Sequence, residues 1–481
     1  MKRLHPLRSY SWICLRAGFF AACLLVLFSL LQGCAQTPPP NDVSLPVVTP
    51  KAEEKKLASV RRAVPAPKSL PAQPIVRTTS TPQAVAVENT PKLSPPSDIE
   101  GQPIRIGLLL PLSGNHGASQ LGQAMLNAAM LALFEFGGER LLLMPRDTGG
   151  SPDGAAKAAA DLVGEGAEIL LGPLFNTSVQ ATAAIARERG LPMIAFSSDR
   201  QVAGNGVYLL SFMPDQEVDA VINYAVSQGL QRLAVLAPDD RYGLAVLSAA
   251  REAVMRHGAE LTQTEFYPPT GEALDQPVKR LAQYHGRRQA WLARRRELKK
   301  GANGNAQHML VAQKNLGTLG ALDFDAILLP EGGELLNALA PLLPYYDIDT
   351  SKIRLLGTGR WDDPKVHMEP ALLGGWFAGA DRAMASEFRL RYQAVFGHSP
   401  PRLASLAYDA MALAAVLGQE AGGPDFRTQA ITNPDGFVGS DGIFRFGLDG
   451  IAERGMAVLE IERDGFRVRR RAPTTFEALT N

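Results

Sequence analysis

Residues 104–111 read Ile-Arg-Ile-Gly-Leu-Leu-Leu-Pro, an almost continuous apolar run with the length of one buried strand. The run ends at Leu112-Ser113-Gly114, and apolar residues at helical spacing follow from about Ser119. Strands that are apolar on both faces are typical of parallel sheets covered by helices on each side. This stretch therefore predicts a strand, a loop and a helix of an α/β fold.

The same alternation continues in both directions along the chain. Further apolar runs predict strands at 140–145, 168–171, 193–196, 233–237, 326–329, 354–356 and 375–378, with helices between them. Toward the end of the chain, short strands joined by glycine turns are predicted at 439–446, 457–463 and 466–469. This number of strand–helix units indicates an α/β protein with more than one sheet.

The first residues have the three zones of an export signal, namely a basic start, an apolar run at 17–31 and the sequence Leu31-Gln32-Gly33-Cys34. The apolar run is shorter than the roughly 20 residues of a membrane-spanning helix. We therefore predict a lipoprotein signal peptide at 1–33 and lipidation of Cys34, the alternative being a chance cysteine in an ordinary signal. Cys14 and Cys23 would be removed, which leaves no partner for an internal disulfide.

Residues 34–102 differ sharply in composition, with frequent proline and no aromatic residue. Such a segment cannot bury enough apolar surface to offset its ordering entropy, so we expect a disordered tether after the lipidated Cys34. It either serves as an inert spacer or carries a globular domain at 103–481 well away from a membrane. The whole chain has a net charge of +1, with 46% hydrophobic and 20% charged residues, which does not indicate nucleic-acid binding.

Four motifs occur in order along the globular part of the chain: Ile-Gly-Leu-Leu-Leu-Pro-Leu-Ser-Gly at 106–114, Gly172-Pro173-Leu174, Ala-Phe-Ser-Ser at 195–198 and Asp-Arg-Tyr-Gly at 240–243. In this order they resemble type I periplasmic binding proteins of the leucine/isoleucine/valine-binding class. The resemblance implies two doubly wound parallel-sheet lobes joined by a three-stranded hinge. It assigns about 103–213 and 380–430 to lobe 1, and about 214–379 and 431–481 to lobe 2.

Four further motifs narrow this resemblance: Pro-Arg-Asp-Thr-Gly-Gly at 145–150, Leu-Pro-Glu-Gly-Gly at 329–333, Leu-Gly-Thr-Gly-Arg-Trp-Asp-Asp-Pro at 356–364 and Gly-Gly-Trp-Phe-Ala at 374–378. They resemble the penicillin-binding-protein activator (LpoA-type) branch of this superfamily. This implies a non-enzymatic lipoprotein that binds and activates a class A penicillin-binding protein in peptidoglycan synthesis. Ala35, where an Asp would retain a lipoprotein at the inner membrane, implies anchoring in the outer membrane, facing the periplasm. The alternative is a solute-binding protein that serves an ABC importer.

The resemblance to amino-acid binders also indicates ligand-binding residues in a cleft between the lobes, for an amino-acid-like molecule or a small peptide. These residues are Ser113, Asn176, Thr177, Ser197, Ser198, Tyr242 and Glu272. The alternative is that polar residues after strands act only as helix caps and turn formers, in a cleft that binds nothing.

No catalytic or metal-binding pattern is present in the sequence. The seven histidines never lie within four positions of each other, and there is no Gly-x-Ser-x-Gly or Walker sequence. Asp147-Thr148-Gly149 matches the aspartic-protease motif, but those enzymes use two copies on an all-β scaffold, so a turn is the better interpretation. We therefore expect no enzymatic activity, no cofactor and no metal.

Residues 284–300 form the most unusual local sequence, with five arginines and two lysines. They predict a basic helix inserted between two strands of lobe 2, with partner-binding candidates Arg287, Arg288, Trp291, Arg294 and Arg295. The alternative is that the apolar seam of this helix packs on lobe 2. Likewise, Trp361-Asp362-Asp363-Pro364 is either a surface recognition loop or a locally packed turn.

Overall fold

Two parallel sheets organise the part of the chain that this computed structural model describes, residues 102–300, 304–315 and 318–476. The signal peptide 1–33, Cys34 and all but the last residue of the tether lie outside the described residues. The strands are β1 (Ile104–Leu110), β2 (Leu141–Asp147), β3 (Ile169–Leu171), β4 (Met193–Ala195), β5 (Val207–Leu209), β6 (Arg232–Pro238), β7 (Glu260–Tyr267), β8 (Ala326–Leu328), β9 (Arg354–Gly357), β10 (Trp376–Gly379), β11 (Phe437–Gly439), β12 (Gly442–Phe446), β13 (Ala452–Arg454), β14 (Ala457–Glu462) and β15 (Gly465–Arg470).

Helices cover both faces of each sheet, as the apolar strands require. The helices are α1 (His116–Phe136), α2 (Pro152–Gly164), α3 (Asn176–Glu188), α4 (Pro214–Ser227), α5 (Arg241–His257), α6 (Asp275–Leu281), α7 (Tyr284–Lys300), α8 (Gly304–Asn315), α9 (Gly333–Leu339), α10 (Leu342–Tyr345), α11 (Arg382–Phe396), α12 (Ala404–Gly418) and α13 (Thr428–Ile431). The helix α1 starts three residues before the predicted Ser119, because the Asn115 side chain accepts a hydrogen bond from the Gly117 N–H and caps it there.

The first sheet has the strand order β2-β1-β3-β4-β5, and all of its strands are parallel. One face packs against α1 and α12 in a core that includes Leu108, Met125 and Met411. The opposite face packs against α2 and α3, with Leu162 and Val179 in the core. This arrangement is lobe 1.

The second sheet has the order β15-β14-β10-β9-β8-β6-β7, in which β14 and β15 are antiparallel additions. The helices α4 and α5 cover one face, where Val221 and Val246 are buried. On the other face, α6, α9 and α10 bury Val278, Leu336 and Leu343. This arrangement is lobe 2.

The chain passes between the two sheets three times, after β5, after β10 and between β13 and β14. Two doubly wound parallel-sheet lobes joined by three crossings confirm the predicted fold class. The predicted strands of both sheets are confirmed, whereas β5 and β7 had not been predicted.

The assignment of 431–481 to lobe 2 is wrong for its first half. The strands β11, β12 and β13 form a small separate sheet, and Phe444 and Phe446 lie in the core of lobe 1. The aromatic ring of Phe446 packs edge-on against Tyr208, with 5.5 Å between the ring centroids. Burial of these aromatic side chains attaches the segment to lobe 1, and only β14 and β15 join the sheet of lobe 2.

Candidate functional site

On lobe 2, the loops after the strands carry a network of aromatic and charged side chains. The Tyr267 hydroxyl donates a hydrogen bond to Glu331 Oε2 at 2.8 Å, and Arg360 Nη1 lies 3.1 Å from Glu331 Oε1. The Arg360 guanidinium stacks on the Tyr242 ring at 3.8 Å, and the Tyr242 hydroxyl is 3.1 Å from Thr358 Oγ1. All five residues follow or end parallel strands, so they meet at one edge of the sheet.

The electrostatics of this network favour neutral forms of Tyr242 and Tyr267. Burial and the nearby Glu217 carboxylate raise the pKa of Tyr242 to about 12. Burial and the charge of Glu331 also raise the pKa of Tyr267 well above its usual range. A buried carboxylate is stable only when it is paired and hydrogen-bonded, and here Arg360 and Tyr267 fulfil that need. These side chains meet one another's hydrogen-bonding and charge requirements without a ligand.

On lobe 1, the loops that face this network carry a group of polar side chains around Asp199. The Asn176 amide donates to Asp199 Oδ2 at 2.9 Å, and the Asp199 N–H donates to Ser197 Oγ at 3.1 Å. The hydrogen bond from Asn176 is the main cause of the lowered pKa of the Asp199 carboxyl, to which Arg241 contributes its positive charge. Ser113 is held apart from this group, because its N–H donates to Asp147 Oδ1 at 3.2 Å.

Two of the ion pairs that join the lobes involve residues beside this network. Arg241 Nη2, at the start of α5 in lobe 2, lies 3.0 Å from Asp199 Oδ2 in lobe 1. Arg402, just before α12 in lobe 1, lies 2.8 Å from Glu217 Oε1 on α4 in lobe 2. A side chain at position 359 would collide with both Arg402 and Glu217, so Gly359 permits this close approach of the lobes.

A second buried ionic group lies beside the crossings. Arg454 Nη1 is 3.6 Å from Asp409 Oδ2, and the Ser440 N–H donates to Asp409 Oδ1 at 2.6 Å. Arg454 also faces the ring of Phe212, whose other neighbour is Arg402 at 3.6 Å from the ring centroid. Burial raises the pKa of the Asp409 carboxyl, although the charge of Arg454 opposes this effect. The group links the small β11–β13 sheet to the hinge.

The structure brings some of the predicted ligand-binding residues together and leaves others apart. Asn176 and Ser197 meet at Asp199, and Tyr242 lies opposite in lobe 2. The remaining four predicted ligand-binding residues are exposed, and they are Ser113, Thr177, Ser198 and Glu272.

Sequence reasoning missed the charged residues that occupy the cleft itself. Arg360 and Glu331 both belong to motifs that resemble the activator branch, so the sequence did contain a signal for these two residues. Their ion pair was not predicted, because the two residues lie 29 positions apart in the sequence. Arg402 is separated from Glu217 by 185 residues, and no local pattern marks it. The cleft thus contains charged residues that pair with one another.

Two surface cavities, of about 250 and 740 Å³, adjoin these groups, since Asp409 and Ser440 line the smaller and Arg402 the larger, but none of the seven predicted ligand-binding residues lines either. The smaller lies beside Tyr408 and Phe437 in lobe 1. The larger is a groove between α11 and the loop that contains Asp362 and His367. Within the described ranges, no group of three or more His, Cys, Asp or Glu could hold a metal ion.

The predicted partner-binding residues are in α7, and the structure distributes them over different sides of that helix. Arg287 has only 9% of its side chain exposed and bonds to Asp347 at 2.5 Å, so it is unavailable to a partner. Trp291 and Arg295 are half-buried, with the Arg295 guanidinium 5.1 Å from the Trp291 ring. Arg288 and Arg294 are exposed. In the part of the chain that the structure describes, no helix is long and apolar enough to cross a membrane.

Comparisons with known proteins agree with this architecture. Residues 103–285 match the family described as "Periplasmic binding protein". A branched-chain amino acid ABC transporter protein from Rhodospirillum rubrum superposes with a TM-score of 0.60 at 20% identity, covering 76% of this chain and 99% of the other. An ABC transporter substrate-binding protein from Sphaerobacter thermophilus gives a TM-score of 0.56 at 19% identity, with 77% and 97% covered.

A branched-chain amino acid transporter substrate binding protein from Streptococcus pneumoniae, in complex with isoleucine, gives a TM-score of 0.52 at 17% identity, with 77% and 100% of the chains covered. A comparison with curated proteins gave no match. At such identities the structural likenesses establish the fold. With two doubly wound parallel lobes, three crossings and a matching segment at 103–285, the chain has the type I periplasmic-binding-protein fold.

Proposed function

We propose that this chain is a non-enzymatic lipoprotein, anchored in the outer membrane through Cys34 and facing the periplasm, that binds and activates a class A penicillin-binding protein. The observation that carries the proposal is the Arg360 guanidinium stacked on Tyr242 and paired with Glu331 at 3.1 Å. The chain's own cation thus covers the aromatic ring that would contact a ligand in an amino-acid binder. The activator-like motifs at 356–364 and 374–378 give further support.

A cleft closed by internal ion pairs suits a protein that acts through its outer surface. A solute-binding protein needs a ligand that favours the closed state by its differential affinity for that state. Here Glu217–Arg402 and Asp199–Arg241 already join the lobes without one. The preformed surface of the two lobes is then available to a protein partner, and a tether would raise its effective concentration near that partner.

The test is reconstitution of the synthase reaction. Residues 91–481 form one compact unit, and this part of the chain is added to a purified class A penicillin-binding protein while glycan polymerisation is measured. We expect stimulation, and equal stimulation by the Arg360→Ala variant, because the cleft is not the contact surface. Absence of stimulation with every class A synthase of the source cell would refute the proposal.

Delivery of a solute to an ABC importer is the second candidate, and the fold neighbours favour it, since one of them is in complex with isoleucine. If it holds, branched-chain amino acids raise the melting temperature of residues 91–481. The Tyr242→Ala variant then loses the increase, and Tyr345→Ala, at an exposed position, keeps it. No increase with any amino acid or small peptide would remove this candidate.

The anchor can be tested separately in cells. We expect the Cys34→Ser variant to lose incorporation of a labelled fatty acid and to leave the membrane fraction. The Ala35→Asp variant should keep the label but fractionate with the inner membrane. Labelling of the Cys34→Ser variant would contradict the proposed lipidation site.

A further inference from the structure

The helix α7 is attached to lobe 2 near its first turn. Tyr284 packs against the core of lobe 2, and its ring centroid is 5.4 Å from that of Tyr346. Arg287 donates to the backbone oxygens of Ala282 and Gly320 and pairs with Asp347. None of the seventeen residues of α7 is fully buried. The helix is thus fixed at one end and forms an arm with α8.

The arm has an inner and an outer side, which follow from helical spacing. Half-buried residues recur at Tyr284, Arg287, Trp291, Arg295 and Leu298, which is the i, i+3, i+7 spacing of one helix face. On the opposing helix Ala306 is buried, as expected for a contact between α7 and α8. The inner side of α7 is therefore used within the protein.

The outer side of α7 is a surface of positive charge. It carries four exposed cations, and these are Arg288, Arg296, Lys299 and Lys300. At about 100° per residue these cations span about 120° of the helix circumference, from Arg288 at the border of the inner side to Lys300, and the single acidic residue of the helix, Glu297, lies about 60° beyond Lys300. In the described part of the chain, Arg287 is the one cation of α7 that has an ion pair. Among the described residues, the cations on the outer side thus have no acidic partner.

We propose that this outer side of α7 is a docking surface for a membrane that contains anionic phospholipids. A 17-residue helix is about 25 Å long, so its cations can reach several headgroups at once. Each Lys or Arg near an anionic leaflet contributes attraction of the order of 1 kcal/mol, which corresponds to about a fivefold gain in binding.

The composition of this side favours a lipid surface over a protein. Protein interfaces gain most of their affinity from aromatic and arginine side chains buried in well-packed pockets. Here the apolar contribution is Leu292, 36% exposed, and the aromatic Trp291 lies on the inner side. Lysine and arginine side chains are long and flexible, so they provide positive charge without forming a surface of defined shape. Such a surface suits a fluid layer of anionic headgroups. The inference is independent of the proposed function, since it concerns a different surface and a different partner.

The experiment is sedimentation of residues 91–481 with vesicles at low salt. Vesicles of equal parts phosphatidylcholine and phosphatidylglycerol are compared with vesicles of phosphatidylcholine alone. We expect binding only to the anionic vesicles, with a strong decrease as salt is raised. The combined variant Arg288→Gln, Arg296→Gln, Lys299→Gln and Lys300→Gln should lose binding by more than a hundredfold.

A matched variant removes four exposed cations elsewhere, by Lys157→Gln, Arg189→Gln, Arg251→Gln and Lys365→Gln. It has the same net charge as the α7 variant and should bind nearly as well as the unchanged protein. Equal loss in both variants would show a response to net charge alone and would overturn the proposal. So would a lack of binding to anionic vesicles, or a cross-link from Arg288→Cys to an acidic protein partner in place of lipid.

Discussion

The indole of Trp361 is fully buried in the core of lobe 2. The ring fills the space above Gly357 and Gly375, where a larger side chain would collide with it, and lies 6.3 Å from the ring of Phe377. The neighbouring Asp362 is held by Arg382 at 2.7 Å. This segment is part of the core of lobe 2, so the interpretation as a recognition loop is wrong for the tryptophan.

Replacement of Trp361 should therefore destabilise the protein strongly. We expect the Trp361→Ala variant to lose about 3–5 kcal/mol of unfolding free energy, because the removed ring leaves a cavity. Denaturant titration measures the loss. The comparison variant Trp291→Ala, on the half-buried side of the arm, should lose about 1 kcal/mol or less. Equal losses would contradict the burial of Trp361.

Asp409 should make the stability depend on pH. Burial raises the pKa of its carboxyl to about 6, from an ordinary value of 3.8. Because the folded state holds the proton more tightly, the contribution of this group to stability is complete below about pH 4 and is lost as the pH rises through about 6. We expect the unfolding free energy of the unchanged protein to fall over this range relative to the Asp409→Asn variant. The exposed Asp239→Asn variant should show the same pH profile as the unchanged protein.

Among the elements, the basic helix illustrates what a sequence can and cannot predict. Its bounds at 284–300 were predicted from the local pattern and are confirmed. The role of Arg287 could not be predicted, because its partner Asp347 lies 60 residues further on and meets it only in the folded lobe. The strand β7 was also not predicted, because its residues are mostly half-buried and polar and do not form an apolar run. Local periodicity is sufficient to predict a helix, whereas the role of a side chain depends on contacts with residues that are distant in the sequence.

Loss of the Arg287 contact should detach the arm without unfolding the lobe. In the Arg287→Ala variant we expect faster amide hydrogen exchange throughout α7, because the first turn loses its ion pair and its bonds to Ala282 and Gly320. The rest of lobe 2 should keep its protection. Arg288→Ala, which removes an exposed cation one position later, serves as the control. Unchanged exchange in the Arg287→Ala variant would refute this anchoring role.

Over the whole molecule, the sequence predicted the two-lobed architecture but not the state of the cleft. Repeated strand–helix units and the order of the motifs were sufficient for the lobes. The cleft depends on pairs such as Glu217–Arg402, which form only when distant segments meet. The small β11–β13 sheet was assigned to the wrong lobe for the same reason, since the aromatic contacts that hold it are tertiary.

Two of the ion pairs between the lobes, Arg402–Glu217 and Arg241–Asp199, should differ greatly in their effect on stability. Arg402 and Glu217 have only 25% and 5% of their side chains exposed, so Arg402→Ala leaves an unpaired buried carboxylate and should cost about 3–5 kcal/mol. Arg241 is 75% exposed, and Arg241→Ala should cost less than about 1 kcal/mol. Thermal unfolding compares the two variants. A larger loss for Arg241→Ala would show that the exposed pair holds the lobes together more strongly than the buried one.

The core of lobe 1 contains Ile104 near one end of the described chain and Ala452 near the other. During synthesis, the ribosome releases β1 long before α12, which packs along α1, and before the β11–β13 sheet. The apolar face of α1 therefore stays uncovered until segments hundreds of residues further along the chain have been made. Such exposure of an apolar face promotes aggregation. An exported chain that is kept unfolded until release avoids this delay, because all parts of the core then become available together.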